Sequence, residues 1–395
     1  MKILFVNLSD YLIPPPTNVI RADTYISVPL AEELQNRGYE VYFLCPPGST
    51  VRTKKIFSTH QPLSAVMPLN EIMQKSNIAR EVELTFWFDI YFTLIEAVKM
   101  QHFDLIHFHS NTPLSELTAL SKITTPCVFT LHSYPQFPDV YSQFFHFFNT
   151  RKNNFFVSIS DFQQKKFPST SFIGTVHNGL DQSNFSFDVN GGSKFLFAGR
   201  IVKEKGVFDA MMSCIKTNRK LIMTGSVDPS TLRVNEKDYY TSEIAPIISQ
   251  NTHLIQFDDV TERTKMFSFY QEGRATLVPV LWDEPFGLVM IESMASGTPI
   301  IAYAKGSVPE IVLDGKTGFI VNSSDNDVRG DWTIKKTGIE GLCEAIERMS
   351  NMSDQDYKQM RRSCLAHVEK HFTLSKMTEQ YEQIYKKILD LKSTN

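Results

Sequence analysis

The sequence predicts two doubly wound, Rossmann-like α/β domains in series, and three observations carry that prediction. The chain has 395 residues, too many for one ordinary core and suited to two domains of roughly 150–200 residues each. Short apolar, β-branched and aromatic runs recur along it, each closed by a polar or glycine turn, with helix-like patterns between several of them. The runs are continuous rather than alternating, as expected of strands buried on both faces of a parallel sheet.

Taken in order, the strand runs of the first half fall at 3–8, 41–44, 105–108, 127–131, 155–159 and 172–176. Helices are expected over 26–35, closed by Gly38, and over 114–121. The apolar stretch 84–100 carries Asp89, Glu96 and Lys99, so it reads as a core helix and not as a membrane span. Asn178-Gly179-Leu180-Asp181 and the polar stretch ending Asn190-Gly191-Gly192-Ser193 supply a linker. Strand runs resume at 195–199, 221–224, 254–257, 276–280, 300–303 and 319–321. The expected division is a domain over 1–177, a linker over 178–193, a second domain over 194–372 and a segment 373–395. That last segment holds a helix near 374–391, expected to pack back across both domains. Ligands of open parallel sheets bind beyond the carboxyl ends of the strands, so the cleft between two such domains is the expected active site.

Composition narrows the function classes. Hydrophobic residues make up 42% and charged residues 21% of a chain with formal net charge −3; this is globular composition with no electrostatic reason to bind nucleic acid. The five cysteines (Cys45, Cys127, Cys214, Cys343, Cys364) are scattered and form no C-x-x-C. They argue against a disulfide framework or zinc site and for a reducing cytoplasm. The N-terminal apolar run turns polar at Ser9-Asp10, too soon for a signal peptide. Any membrane contact is therefore expected to be peripheral. The aromatic cluster 141–148 with Phe155 and Phe156, beside Lys152, Lys165 and Lys166, reads as core or as a lipid-facing or acceptor-binding surface.

The segment richest in chemistry runs from Trp282-Asp283-Glu284-Pro285-Phe286-Gly287-Leu288 through Glu292 to Gly297. Pro285 suits a first helical turn and Gly297 a stop. Glu284 then precedes the helix, and eight helical residues bring Glu292 round to broadly the same side. Backbone N–H groups near Phe286, Gly287 and Leu288 form an anion- and hydroxyl-binding terminus. A capping carboxylate on an ordinary amphipathic helix fits the spacing equally well. A second segment, Phe197-Ala198-Gly199-Arg200 to Lys205-Gly206, sets two cations after a strand and a glycine turn, where they can neutralise a diphosphate leaving group. A solvated basic loop is the competing reading; of the lysines in the segment, Lys203 reads as the bystander. In the first half His132 closes the strand Phe129-Thr130-Leu131, and His107 and His109 close another. His107 reads as buried, His109 as lining the cleft, and a lone His132 as structural or functional.

The segment from Glu284 to Glu292, with its continuation from Ala302 to Phe319, resembles the E-x7-E signature of the family-4 retaining glycosyltransferases of GT-B fold. The resemblance implies that Glu284 contacts donor-sugar hydroxyls and Glu292 the nucleotide ribose. It implies a diphosphate-binding G-R-x-x-x-x-K-G loop at Gly199, Arg200, Lys205 and Gly206, and a place beside the donor sugar for His132. Pro285, Phe286, Gly287 and Leu288 join the donor-binding set. The donor is then a nucleotide-sugar, UDP being the family's habit, bound by the C-terminal domain. The acceptor, a glycan, lipid-linked or small molecule, falls to the N-terminal domain.

The chain also departs from the family. The loop after the first strand, 11–23, contains no glycine, where the family carries Gly-Gly. Its prolines resemble the avilamycin-type subgroup, and Arg21-Ala22 stand near the missing glycines. Arg21 either reaches phosphate or an anionic acceptor or makes an ordinary ion pair. Asp325-Asn326-Asp327 matches a metal-binding Asp-x-Asp on paper but sits in a Ser/Asn/Asp-rich stretch, better read as a solvated loop. With Arg200 and Lys205 available, neither metal nor other cofactor is expected. A nicotinamide enzyme lacks its G-x-G-x-x-G here, and Tyr381 to Lys386 lacks the Tyr-x-x-x-Lys spacing of an epimerase. A binding-only relic of the same fold remains the alternative to a retaining enzyme.

Overall fold

The computed structural model describes residues 1–7, 11–15, 21–66, 77–109, 123–134, 153–167, 170–225, 238–258 and 263–393. It comprises two compact units, one of Met1–Gly179 with Leu374–Asn395, the other Leu180–Thr373.

The first unit is built on β1 (Lys2–Val6), β2 (Glu40–Cys45), β3 (Lys54–Phe57), β4 (Leu105–Phe108), β5 (Cys127–Thr130), β6 (Asn154–Ser158) and β7 (Phe172–Thr175). They lie in the order β3-β2-β1-β4-β5-β6-β7, all pairings parallel. Every residue of β4 and β5 is buried, as their unbroken apolar runs require. Strand β3 is the addition to the sequence reading. It is a short edge strand led by Lys54 and Lys55, both exposed, and charged lysines are what an unpaired edge carries.

Helix Ala22–Asn36 begins four residues before the expected 26. Helix Asn77–Met100 corrects the core-helix reading of 84–100. It buries one stripe, Phe86, Ile90, Leu94 and Ala97, while Leu84, Phe88, Phe92 and Met100 stay exposed; the 4-4-3 spacing of the stripe is that of one helical face. The final helix, Leu374–Ser393, belongs to the first unit, where Arg37 reaches Glu382 Oε2 at 2.8 Å and Ser375 Oγ at 2.8 Å.

The second unit holds β8 (Lys194–Ala198), β9 (Leu221–Thr224), β10 (Ile255–Asp258), β11 (Gly273–Val278), β12 (Ile300–Tyr303) and β13 (Gly318–Val321). Their order is β10-β9-β8-β11-β12-β13, again wholly parallel. The order reverses at β8/β11, the topological switch point at which such sheets bind ligands. Arg361, fully buried, knits this unit together with neutral acceptors: its Nε bonds the Asp188 carbonyl at 2.7 Å and its Nη2 the Ser296 carbonyl at 3.0 Å. Ser296 caps the carboxyl end of helix Leu288–Ala295, so the guanidinium also meets the negative pole of that helix's dipole.

No helix among the described residues is long and apolar enough to cross a membrane. All five cysteines are free and buried. The expected helix over 114–121 and the aromatic cluster 141–148 lie outside the described residues.

Candidate functional site

The switch point of the second unit gathers the donor-side candidates. After β8 the chain passes Gly199 and the exposed Arg200 into a single 3-10 turn, Lys203–Lys205. A side chain built on Gly199 would meet nothing within 4 Å, so the backbone there is open to close approach. Gly206 ends the turn at φ 70°. A Cβ at Gly206 would lie 1.8 Å from the Pro279 carbonyl oxygen, so only glycine lets the turn pack against the end of β11. Leu281 N–H bonds the Glu204 carbonyl at 2.8 Å, locking the two segments together.

That closure brings Lys205 onto Glu284. Lys205 Nζ lies 2.5 Å from Glu284 Oε2, which also accepts the Trp282 indole N–H at 2.9 Å. The ammonium sits 5.2 Å from the centre of the same indole, a favourable place for a cation. Glu284 is only 8% exposed, and its carbonyl accepts Ser307 N–H at 2.9 Å.

The helix expected from Pro285 starts at Leu288 and runs to Ala295. Gly287 precedes it at φ 67°, a left-handed conformation that favours glycine. Only four steps therefore separate the helix start from Glu292, and the eight-residue rotation invoked from the sequence does not apply. Glu292 Oε2 accepts the Tyr270 hydroxyl at 3.2 Å. Phe286 turns inward, buried and edge-on to Phe372 at 6.0 Å, so what it can offer a ligand is backbone. The first turn from Leu288 leaves N–H groups without intrahelical partners.

Around this corner runs an ionic network that the sequence reading missed. Asp283 pairs with Arg329 and accepts Gly306 N–H at 3.2 Å. Arg329 also reaches Asp327 at 2.8 Å, and Asp327 pairs in addition with Lys305. Burial works against the Asp327 carboxylate, but Arg329 and Lys305 hold its pKa well below the usual range. Asp325 instead accepts the Thr337 hydroxyl at 2.7 Å. The Asp-x-Asp pattern thus has separate partners at its two ends, and among the described residues no cluster of three His, Cys, Asp or Glu has metal-holding form.

In the first unit the carboxyl ends of β4 and β5 carry a different kind of polar cluster. His109 Nδ1 and His132 Nε2 are 2.9 Å apart. His107, buried as its strand position predicts, bonds Thr130 Oγ1 at 2.8 Å and the Tyr385 hydroxyl at 2.7 Å. Thr130 in turn meets Tyr381 at 2.9 Å. Burial drives the pKa of His107 and His109 well below the ordinary histidine value. His132 falls to about 4, burial outweighing the Asp23 carboxylate that pulls it upward. The cluster is therefore neutral at pH 7, and within the hydrogen-bonded pair one imidazole donates and the other accepts. His109 is fully buried, and its Nε2 has no partner among the described residues. Arg21 caps the Ala22–Asn36 helix and stands 3.5 Å from Asp23. The ion pair is present, and it ties Arg21 to the same corner as His132.

The structure thus brings Glu284 together with Lys205, and His132 with His109. Trp282, Asp283, Arg329, Asp23 and Tyr270 are the contributors that sequence reasoning passed over. The Trp-Asp directly before Glu284 was the one local signal; the other three residues act across the chain.

Two family models match adjoining stretches of the chain: Glycosyltransferase Family 4 over residues 28–182 and Glycosyl transferases group 1 over residues 182–330. Residues 28–182 thus match the family-4 domain and residues 182–330 the group 1 domain, and the two parallel-sheet units have the two-domain GT-B fold. Among curated relatives it is similar to the lipopolysaccharide 1,2-N-acetylglucosaminetransferase of Salmonella typhimurium, 32% identical over 130 residues, covering 31% of this chain and 33% of that one. The chain spans between a third and a half of the length of the first curated relatives it matches.

Solved structures share the fold along nearly the whole chain. The sucrose-phosphate synthase of Thermosynechococcus elongatus has TM-score 0.76 at 15% identity, covering 99% of this chain and 100% of that one. HepE of Anabaena, in complex with UDP and glucose, has TM-score 0.69 at 16% identity, covering 97% and 98%. A glycosyltransferase of avilamycin A biosynthesis has TM-score 0.62 at 16% identity, covering 98% of each chain. At that identity the likeness is one of fold and does not extend to the avilamycin-type subgroup.

Proposed function

We propose that this protein transfers a sugar from a nucleotide-sugar, a UDP-sugar by preference, to a glycan, lipid-linked or small-molecule acceptor, retaining the anomeric configuration and requiring no metal. The observation that carries the reading is the meeting of Lys205 with Glu284 at the switch point of the second sheet, 2.5 Å apart. A cation for diphosphate and a carboxylate for sugar hydroxyls are the two groups that a nucleotide-sugar needs side by side. The complex of HepE with UDP and glucose supports UDP as the leaving group. Five free, buried thiols favour a reducing compartment, the cytoplasm.

In this reading the second unit binds the donor. The bond from the anomeric carbon to the diphosphate lengthens toward an oxocarbenium-like state while negative charge grows on the leaving phosphate. Arg200, Lys205 and the N–H groups from Leu288 onward stabilise that charge in the transition state. Glu284 orients the sugar and Glu292 the ribose. The acceptor, bound by the first unit, attacks from the leaving-group side. Its hydroxyl proton passes to the departing phosphate oxygen, so bonds and charges balance without a protein nucleophile. His132, neutral, offers a hydrogen bond to substrate; His109 and Arg21 line or support the acceptor side.

The test is nucleotide release from a panel of UDP-, GDP- and ADP-sugars, with and without EDTA, by the wild type and by Arg200→Ala and Glu284→Ala. Donor-selective release that survives EDTA and collapses in both variants is expected. The absence of both release and thermal protection with every donor would sink the nucleotide-sugar reading; a product of inverted configuration by NMR would sink retention.

A further inference from the structure

Lys205, one of the two cations read as meeting the diphosphate, is already occupied. Its ammonium is bonded to Glu284 Oε2 at 2.5 Å, the same oxygen that takes the Trp282 N–H at 2.9 Å. Neither partner is free to drift. Glu284 is held at its backbone by Ser307 N–H, at 2.9 Å, and the neighbouring Asp283 is committed to Arg329 and Gly306. Lys205 closes a turn fixed through Gly206 against Pro279. With 23% of its side chain exposed against 10% for Glu284, the lysine is the member that an incoming anion can reach.

An anion that draws the ammonium away leaves a carboxylate almost wholly out of water, with the indole N–H as its remaining donor and a phosphate nearby. Leaving a buried charge unpaired is far more costly than never having paired it. What the anion carries next to its phosphate then decides the outcome. A sugar on the terminal phosphate brings hydroxyls that donate to Glu284 and replace the lost lysine. A free nucleoside diphosphate brings an additional negative charge and no donor.

We propose that the Glu284–Lys205 pair, steadied by the Trp282 indole, is a specificity device that sets the site against free nucleoside diphosphate and in favour of the intact sugar nucleotide. This rests on the proposed function, in which Lys205 meets the diphosphate. When the sugar has left, Glu284 loses its hydroxyl partners and reclaims Lys205, which speeds departure of the nucleoside diphosphate.

The experiment is calorimetric titration of the full chain with UDP, GDP, ADP and inorganic pyrophosphate, for the wild type and for Lys205→Ala, Glu284→Gln and Trp282→Phe, each checked for unchanged melting temperature without ligand. Removing the carboxylate charge in Glu284→Gln is expected to tighten binding of the preferred nucleoside diphosphate by about tenfold. Trp282→Phe removes the last donor to the abandoned carboxylate and is expected to weaken the same binding by about threefold. Opposite signs in two neighbouring substitutions are what general loosening of the site does not produce. Unchanged or weaker binding by Glu284→Gln, or no measurable binding by either it or the wild type, overturns the proposal. Lys205→Ala separates this from the underlying reading: binding unaffected by that change overturns the assignment of Lys205 to the diphosphate itself.

Discussion

The Glu284 corner of the second sheet and the His132 corner of the first both place polar side chains at the carboxyl ends of parallel strands, and they do so with opposite chemistry. At Glu284 the groups are charged and paired, with a further ionic chain of Asp283, Arg329, Asp327 and Lys305 alongside. At His132, itself half-buried, they are neutral imidazoles and buried hydroxyls joined from His107 to Tyr385 and from Thr130 to Tyr381. The first arrangement suits binding an anion and stabilising charge as it forms. The second suits holding a shape and presenting a hydrogen bond whose polarity does not change near neutral pH. The two sheets share an architecture, yet one was furnished for electrostatics and the other for geometry.

Reversing a charge tests this contrast most severely. Lys205→Glu sets two carboxylates where a pair stood and is expected to lower nucleotide release by about 10³-fold or more. His109→Leu, the matching change in the neutral corner, is expected to lower transfer by only about tenfold, through a displaced His132. Equal losses, measured on the preferred donor, would erase the distinction.

Acid comes next. His132 has its folded pKa depressed from 6.5 to about 4, so the unfolded chain binds the extra proton between those values. Stability from this group is complete above about pH 6.5 and is lost as pH falls toward about 4, to the extent of about 3 kcal/mol. His107 and His109 act in the same direction. Denaturant unfolding across that window should show the decline, and His132→Gln should remove its own share. A flat profile would mean that the cluster is not neutral when folded.

Smaller effects sharpen the picture. Tyr385→Phe strips the hydroxyl from His107 Nδ1 and leaves a buried nitrogen unpaired, an expected loss of about 1–2 kcal/mol in the same unfolding measurement. Phe92→Ser, on the outer face of the Asn77–Met100 helix where Phe92 is 61% exposed, should move stability by no more than about 0.5 kcal/mol. A loss several times larger would show that this face is not a solvent face.

Much of the fold was legible because buried parallel strands leave an unbroken apolar run, and twelve such runs stand in the sequence. Strand β3 escaped because Lys54-Lys55-Ile56-Phe57 pairs on one edge only and so carries surface residues. The start of the Leu288–Ala295 helix was misplaced because Pro285 suits a first turn equally well, whereas the left-handed Gly287 decides the matter and is invisible in a one-dimensional pattern. At the site, Glu284 and Lys205 were found through a resemblance, and each half was ambiguous by itself. That they touch, and that Trp282 binds them, follows from a turn folding back over 79 residues of separation. Arg329 reaches Asp283 across 46 residues, and nothing in its local sequence of polar residues announces the partner. Tyr381 and Tyr385 show the same limit. Their four-residue spacing marks one face of a helix, but not that the face closes on His107.

The final helix also bears on how the polypeptide comes into being. Leu374–Asn395 completes a unit begun at Met1, with the whole of Leu180–Thr373 emerging from the ribosome in between. At roughly 5–20 residues per second that interval lasts about 10–40 s. Throughout it the later unit, continuous in sequence, can collapse and finish, while the earlier one waits with His107 lacking its tyrosine. Of the two units, the one whose first strand emerges earlier is therefore the one that closes later, because its last helix, Leu374–Ser393, follows the other unit in the chain.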